Sequence, residues 1–467
     1  MIMGWGKEKM KTLLCKKTVC VLAVFVVLAV LAVGAFLWSA SAPAQSGEAV
    51  PAQQPVNQNN ILTNDKIQLI TSNEPYSLKG AGTTEGYYYI ETNSDTMMSA
   101  NIRYIDYATC QDISLSSNLV EEQNSEANES FLSSTIGGSV IMTSGDQVYV
   151  VCFGVPELYD EYKEDSRPRI VRMDKNGANR EIFYRGADGE RLLSVWAADG
   201  TYLYGVAECT KDTGGQASTT SKVVRISKQE KTIEYLGELP ENTNLIAAFG
   251  RNLVFHQITV QDGADGSADA WENKILCYSV DEKSYCVIKE WQQKENLNAY
   301  VYEDTLVTVN TDECWLAVQD IAAGQEKIRV DLSSQMALPN DSDDPAPIKT
   351  YPLWFDSCID GRFVFADVAS EEGFFYAVDL KSGECRRIAL SYYDEEKGSN
   401  YPMEIVAKSD TAYLVVTGKK SSPVAAQGKD GTIAESTRLQ TQYGIITKEN
   451  YWNGKAEFQT VERSDAF

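Results

Sequence analysis

One short phrase recurs along most of this chain. "WAADGTYLYGVAEC", Trp196 to Cys209, is an apolar run, an Asp-Gly corner and an alternating strand leaving it. "TSGDQVYVVCF" from Thr143, "AFGRNLVFHQI" from Ala248 and "CIDGRFVFADV" from Cys358 repeat that order. Aligned on the corner, seven second strands centre near Tyr88, Tyr149, Leu203, Val254, Leu306, Val364 and Leu414, 50 to 61 residues apart. Such a period constrains the fold strongly, because each copy is one supersecondary unit that buries its faces only against neighbouring copies.

Each copy also carries a later hairpin, such as "RIVRMDKNGANREIFY" (Arg169 to Tyr184), "KVVRISKQEKTIEYLG" (Lys222 to Gly237) or "KILCYSVDEKSYCVIKEW" (Lys274 to Trp291). The short alternating runs are rich in Val, Ile, Tyr and Phe and show no sustained helical period, so the chain reads as all-β. Four strands per copy at this period predict a β-propeller of four-stranded blades, seven in number with six as the alternative. A pair of β-sandwiches is the competing architecture. Asp199-Gly200 and Asp360-Gly361 are dipeptides that tolerate positive φ, and predict two-residue hairpin corners.

The Arg169 to Tyr184 unit resembles the strand-turn-strand of bacterial extracytoplasmic propellers of the DUF5050 and TolB-like groups, which are similar in turn to receptor YWTD propellers. The resemblance spans Tyr76 to Glu462 as a pattern and brings no catalytic motif with it. It implies an extracytoplasmic propeller, and many members of the group have six blades.

In an up-and-down blade with strands a to d, the a–b and c–d turns lie on one face and the b–c and d–a connections on the other. Here the b–c connections are long in "GVPELYDEYKEDSRP", "TKDTGGQASTTS", "VQDGADGSADAWEN" and "GKKSSPVAAQGKDGTIAESTR", and "SYYDEEKGSNYP" is a long d–a connection. Insertions gathered on one face of a rigid scaffold predict a binding face. Tyr159, Asp160, Tyr162, Trp271, Tyr392 and Tyr393 are its candidate contact residues, since Tyr and Trp offer broad contact area with a polar handle. The alternative is that these loops are solvated and their aromatics tuck onto blade edges.

Net charge is −24 over 467 residues, although the first seventeen carry five Lys against one Glu. An acidic surface repels phosphate backbones, which excludes nucleic acid as a partner. Thr18 to Trp38 is 21 residues without a charge, long enough for a bilayer-spanning helix. The Lys-rich start then stays cytoplasmic, which predicts a single-pass cell-membrane protein with most of the chain extracytoplasmic. The expected organisation is a basic segment over 1–17, a transmembrane helix or uncleaved signal anchor over 18–38, a flexible linker over 39–64 and a propeller ectodomain over 65–467. Ala42 and Ala44 also offer an A-x-A cleavage site.

Chemistry-bearing motifs are sparse. His256 is the single histidine and lies inside a predicted strand, which favours burial over a catalytic triad. Neither a G-x-S-x-G elbow nor a phosphate-binding loop occurs. Asp262, Asp265 and Asp269, and Asp341, Asp343 and Asp344, form acidic loops without the ligand spacing of an EF-hand, and neither a metal nor another cofactor is expected. Paired carboxylates for a glycan hydrolase or lyase are recognised in space, not in sequence, so that reading stays open as the alternative. Among the cysteines, a two-residue turn at Asp281-Glu282 would set Cys277 opposite Cys286 in a non-hydrogen-bonded pair, a candidate disulfide. The sequence therefore predicts a non-enzymatic, membrane-tethered binding or scaffold module for a cell-envelope protein, peptide or glycan.

Overall fold

Alternation along each strand sends successive side chains to opposite faces of a sheet, and here both faces are apolar, so each sheet needs a neighbour on both sides. The computed structural model describes residues 66–71, 80–92, 99–115, 128–212, 217–260, 271–310, 312–333, 357–366, 373–427 and 433–464. Among the described residues, the strands form seven antiparallel four-stranded blades.

In order a to d, blade 1 is Ala81–Gly82, Gly86–Thr92, Ala100–Asp106 and Gln111–Ser114. Blade 2 is Ser139–Ser144, Gln147–Cys152, Arg169–Asp174 and Glu181–Arg185. Blade 3 has a split strand a, Glu190–Leu192 and Ala197–Ala198, followed by Tyr202–Asp212, Ala217–Ser227 and Ile233–Leu239. Blade 4 is Thr243–Phe249, Asn252–Val260, Trp271–Ser279 and Ser284–Gln292; blade 5 is Leu297–Tyr302, Thr305–Asn310, Trp315–Asp320 and Glu326–Asp331. Blade 6 is Ser357–Ile359, Arg362–Ala366, Phe375–Asp379 and Cys385–Ile388. Blade 7 is Ile405–Lys408, Ala412–Gln427, Ile433–Thr447 and Phe458–Thr460. All seven residues on which the repeat was centred lie in a strand b, so the copies are the blades.

The core is divided into clusters between neighbouring blades. Val148 and Val150 face blade 1 with Ile102, while the intervening Tyr149 and Val151 face blade 3 with Trp196. Tyr204 and Val206 pack against Leu253 and Phe255 of blade 4, and Tyr413 and Val415 against Phe375 of blade 6. The ring closes where Leu414 of blade 7 meets Tyr87 and Ile105 of blade 1.

Two end segments add strands to finished blades. Gln68–Leu69 pairs antiparallel with the free edge of Ala197–Ala198, on the axial side of blade 3. Thr71 anchors it, its hydroxyl accepting from Trp196 N at 2.8 Å. At the other end, Glu462–Arg463 runs parallel to Gln111–Asp112 on the outer edge of blade 1.

The corners differ in part from expectation. Asp360 and Gly361 do adopt positive φ, 47° and 73°. Asp199-Gly200 is not a two-residue corner of that kind: the turn spans Asp199 to Thr201, and the Asp199 carboxylate closes it by accepting from Thr201 N and Tyr202 N, each at 2.7 Å. Two predicted loops are also not loops. In blade 3 the pairing of strands b and c continues to Asp212↔Ala217, and in blade 7 to Gln427↔Ile433. "SYYDEEKGSNYP" is likewise a hairpin, Ser391–Asp394 paired with Ser399–Pro402. The reason is register: once the blade below sets the pairing, each further pair extends an existing ladder, and Thr-rich stretches suit a pleated surface.

The segments expected over 1–17, 18–38 and 39–64 lie outside the described residues, as do both acidic loops, Asp262 to Asp269 and Asp341 to Asp344. Among the described residues no helix is long and apolar enough to cross a membrane.

Candidate binding face

The face that carries the b–c and d–a connections is built up unevenly around the ring. Strand b of blade 7 has 16 residues against 6 in blade 5; about ten extra residues at roughly 3.4 Å each carry its hairpin about 30 Å beyond a short blade. The b strands of blades 3 and 4, with 11 and 9 residues, extend on the same side. Across the blade 3 arm, Thr210 and Thr219 are joined through their hydroxyls at 3.0 Å.

The base of the blade 7 arm is buttressed by the 391–402 hairpin. Tyr393 and Asp394 pair in parallel with Gly418 and Lys419, and the Glu395 carboxylate accepts from Ser421 N at 3.0 Å. Beneath this contact sits a polar cluster. Tyr392 donates to Glu404 at 2.7 Å, and Lys419 Nζ lies 3.9 Å from both the Asp394 and Glu404 carboxylates, which places those oxygens no more than about 8 Å apart. Burial raises the Glu404 carboxyl above its usual range, although the Tyr392 hydrogen bond and Lys419 oppose it. Asp394 is turned into its own hairpin, accepting from Glu396 N and Lys397 N at 3.0 and 3.2 Å.

The six predicted contact residues are spread over blades 2, 4 and 7. Tyr159 opens a short helix, Tyr159–Tyr162, and its ring is flanked by Lys163 and Arg167, each 5.4 Å from the centroid. Asp160 is exposed beside Lys163, 3.4 Å away, and Tyr162 is half-buried. Trp271 begins strand c of blade 4, half-buried opposite Val260. Tyr393 is 52% exposed, whereas Tyr392 is only 3% exposed and stacks on Tyr401. Tyr392 therefore belongs to the support of the arm, not to its surface, because alternation along the strand turns it inward. Glu404 and Lys419 were missed; the available signal was a charged residue opening the apolar strand "EIV".

His256 is half-buried, with Nε2 3.0 Å from Asn273 Oδ1 and its ring stacked on Trp291; burial lowers its pKa. Cys277 and Cys286 are direct cross-strand partners and are free thiols. Their turn is wider than expected, with four residues inside the Ser279↔Ser284 pair, Lys283 N donating to Ser279 O at 2.9 Å and Lys283 in the left-handed region at φ 53°. Among the described residues, no group of three or more His, Cys, Asp or Glu is placed to hold a metal ion.

On the short-turn face, Asp199 and Asp360 tie blades together. Asp199 accepts from Tyr204 of its own blade at 2.7 Å and from Arg251 of blade 4 at 2.8 Å. Asp360 accepts from Tyr413 of blade 7 at 2.6 Å and pairs with Lys448 and Lys408 at 2.7 and 3.1 Å.

No family model and no curated protein matches the sequence. Solved structures similar in fold include a puromycin hydrolase at 12% identity and TM-score 0.46, covering 84% of this chain and 54% of that one. This chain thus spans about half the hydrolase's length. An oligogalacturonate lyase from Vibrio parahaemolyticus has 12% identity and TM-score 0.44 over 83% of this chain and 95% of that one. TolB from Acinetobacter baumannii has 10% identity and TM-score 0.30 over 82% and 80%. The strand pairing by itself makes the described residues of this chain a seven-bladed β-propeller of four-stranded blades.

Proposed function

We propose that this propeller is a non-enzymatic binding module, tethered to the cell membrane by residues 18–38, which engages a cell-envelope protein, peptide or glycan through its b–c face. The observation that supports this most directly is the blade 7 arm, a two-stranded hairpin held out from the ring by its own buttress. Its neighbours on blades 3 and 4 extend to the same side, and rigid scaffolds carry recognition elements in this way. Tyr393, Asp160 and Tyr162 lie on this face with exposed or half-exposed side chains.

The test uses the full chain in detergent, offered panels of cell-wall glycans, peptides and purified envelope proteins. A trimmed variant joins Ser421 to Leu439, and Thr210 to Thr219, through Asn-Gly, the dipeptide that closes a two-residue hairpin. Binding at least tenfold weaker in the trimmed variant, and unchanged in the short-turn variant Asp410→Asn, is expected. Equal affinity in the trimmed and intact chains would overturn the proposal.

A second reading, a carboxylate-based glycan hydrolase or lyase, draws on Asp394 and Glu404, whose carboxylates both lie 3.9 Å from Lys419 Nζ. Both groups are engaged by their own hairpin and by Tyr392, which favours the structural role. Glycan cleavage by the intact chain that is abolished in Glu404→Gln would reverse that preference.

A further inference from the structure

We propose that Cys277 and Cys286 form a redox-active dithiol on the outer edge of blade 4, which a disulfide substrate oxidises reversibly to a cross-strand disulfide. The register carries the inference. Val254, Cys277 and Cys286 form one row across strands b, c and d, so both thiols lie on the same face of the sheet. Opposed residues in an antiparallel pair have Cα atoms about 4.5 to 5.5 Å apart, inside the roughly 4.4 to 6.8 Å window of a disulfide.

Access grows along that row. Val254 is fully buried, Cys277 is half-buried and Cys286 is exposed. Strand d ends its sheet, with no further strand paired to it among the described residues. The flanking Tyr285 and Val287 are also exposed, so an incoming disulfide meets Cys286 first.

The two thiols are also differentiated chemically. A hydrogen bond from the Cys277 thiol draws Cys286 down to about 7, against burial and the Glu282 carboxylate. The same bond, with burial, pushes Cys277 up. Cys286 is therefore the attacking thiolate and Cys277 the resolving thiol, the division of labour that thiol–disulfide exchange requires.

The step balances with the disulfide substrate as the two-electron acceptor and needs no metal. The Cys286 thiolate attacks one sulfur of R–S–S–R, forming Cys286–S–S–R and releasing one thiolate, RS⁻. Cys277 gives its proton to that thiolate and attacks the Cys286 sulfur, which releases the second RS⁻. Two protein thiols are oxidised to one disulfide and one disulfide is reduced to two thiols; the Cys286 proton, already lost to solvent, neutralises the second.

The experiment uses the full chain in detergent with two oxidants in separate arms, glutathione disulfide and an oxidised C-x-x-C protein. Quenched samples are mapped by peptide mass. Either oxidant should yield peptides linked through Cys277 and Cys286, and the arm that reacts faster identifies the source. Cys286→Ser should leave Cys277 reduced. Without oxidant, Cys286 should alkylate with a midpoint near pH 7, and Cys277→Ala should slow that alkylation at pH 7 on the order of tenfold. Failure of both oxidants to link the pair, while the denatured chain alkylates fully, overturns the proposal. So does a mixed disulfide on Cys286 that persists without passing to Cys277.

Discussion

Arg463 donates to both carboxylate oxygens of Glu91, at 2.9 and 2.8 Å, across 372 residues of chain. The contact sits where the last blade meets the first. Among the described residues each blade draws its four strands from one continuous stretch, and no strand from the other end completes blade 7. Closure rests on face packing and on the short parallel strand at Glu462–Arg463. That strand is bonded through Glu462 N to Cys110 O at 2.8 Å and Ser464 N to Asp112 O at 2.9 Å. Arg103 completes the seam, reaching Asp112 Oδ1 at 2.9 Å and Ser464 O at 3.3 Å.

Arg463→Ala should therefore destabilise the ring by about 1 to 3 kcal/mol, the range for hydrogen bonds to charged groups. Chemical denaturation of Arg463→Ala, Glu91→Gln and the double variant forms a thermodynamic cycle. Additive effects in the double variant would show that the pair is not coupled.

Asp360 makes acid stability a property of the blade 6–7 junction. Burial opposes its charge, but Lys448, Tyr413 and Lys408 outweigh burial and hold it at about 2, below its ordinary 3.8. A depressed carboxyl contributes fully above its unfolded value and loses that contribution as pH falls through the folded one. Wild type should thus lose stability between pH 4 and 2 that Asp360→Asn, already lacking it, does not lose. Because the group is partly solvent-screened, the difference is on the order of 1 to 2 kcal/mol. Asn tolerates the left-handed backbone at this position, so the comparison reports charge and not strain. Parallel acid-unfolding curves for the two proteins would contradict the assignment.

Gly205 has no room for a side chain. A Cβ there would lie 2.9 Å from three ring atoms of Trp196, which is fully buried between blades 2 and 3. Gly205→Ala should cost about 1 to 3 kcal/mol, as overpacking does, read as a lower urea midpoint at an unchanged slope. A neutral effect would mean that the ring has space to move. The same ring's backbone holds Thr71, so the variant should also expose the 66–71 segment to proteolysis.

Glu404 gives the opposite pH signature from Asp360. Its folded pKa is raised by burial, against Tyr392 and Lys419 and with Asp394 adding to the rise, so ionising it costs stability as pH climbs above the ordinary value of 4.5. Glu404→Gln keeps an acceptor for the Tyr392 hydroxyl without the charge. The variant should match or exceed wild type at pH 7, with its advantage vanishing near pH 4. Lower stability than wild type at pH 7, undiminished at pH 4, would show that the charge is what the cluster needs.

The repeat was legible because it is local. Tyr149 and Val151 alternate with Val148 and Val150, and that two-residue period together with a corner marks a strand wherever it occurs. Asp360-Gly361 could be read as a corner from its backbone tolerance alone, whereas Asp199 closes its turn with a carboxylate that also reaches Tyr204 and Arg251. The cross-strand partnership of Cys277 and Cys286 was likewise legible, since register inside one hairpin depends on counting. The candidate binding face was legible only as a side of the ring. Tyr392 and Tyr393 look alike in sequence, yet one supports the arm and the other is exposed.

Sequence by itself located the seven b strands and the side on which the long b–c connections lie, because these follow from periodicity and turn chemistry within one unit, but it left six blades open beside seven. Tertiary structure decided the rest. It made paired arms of stretches that read as loops, because a ladder set by the blade beneath carries weak strand formers such as Gly and Lys along with it. It also brought Glu404 and Lys419 to Tyr392, Thr71 to Trp196 and Arg463 to Glu91, contacts between segments that share no local pattern and meet only when the ring closes.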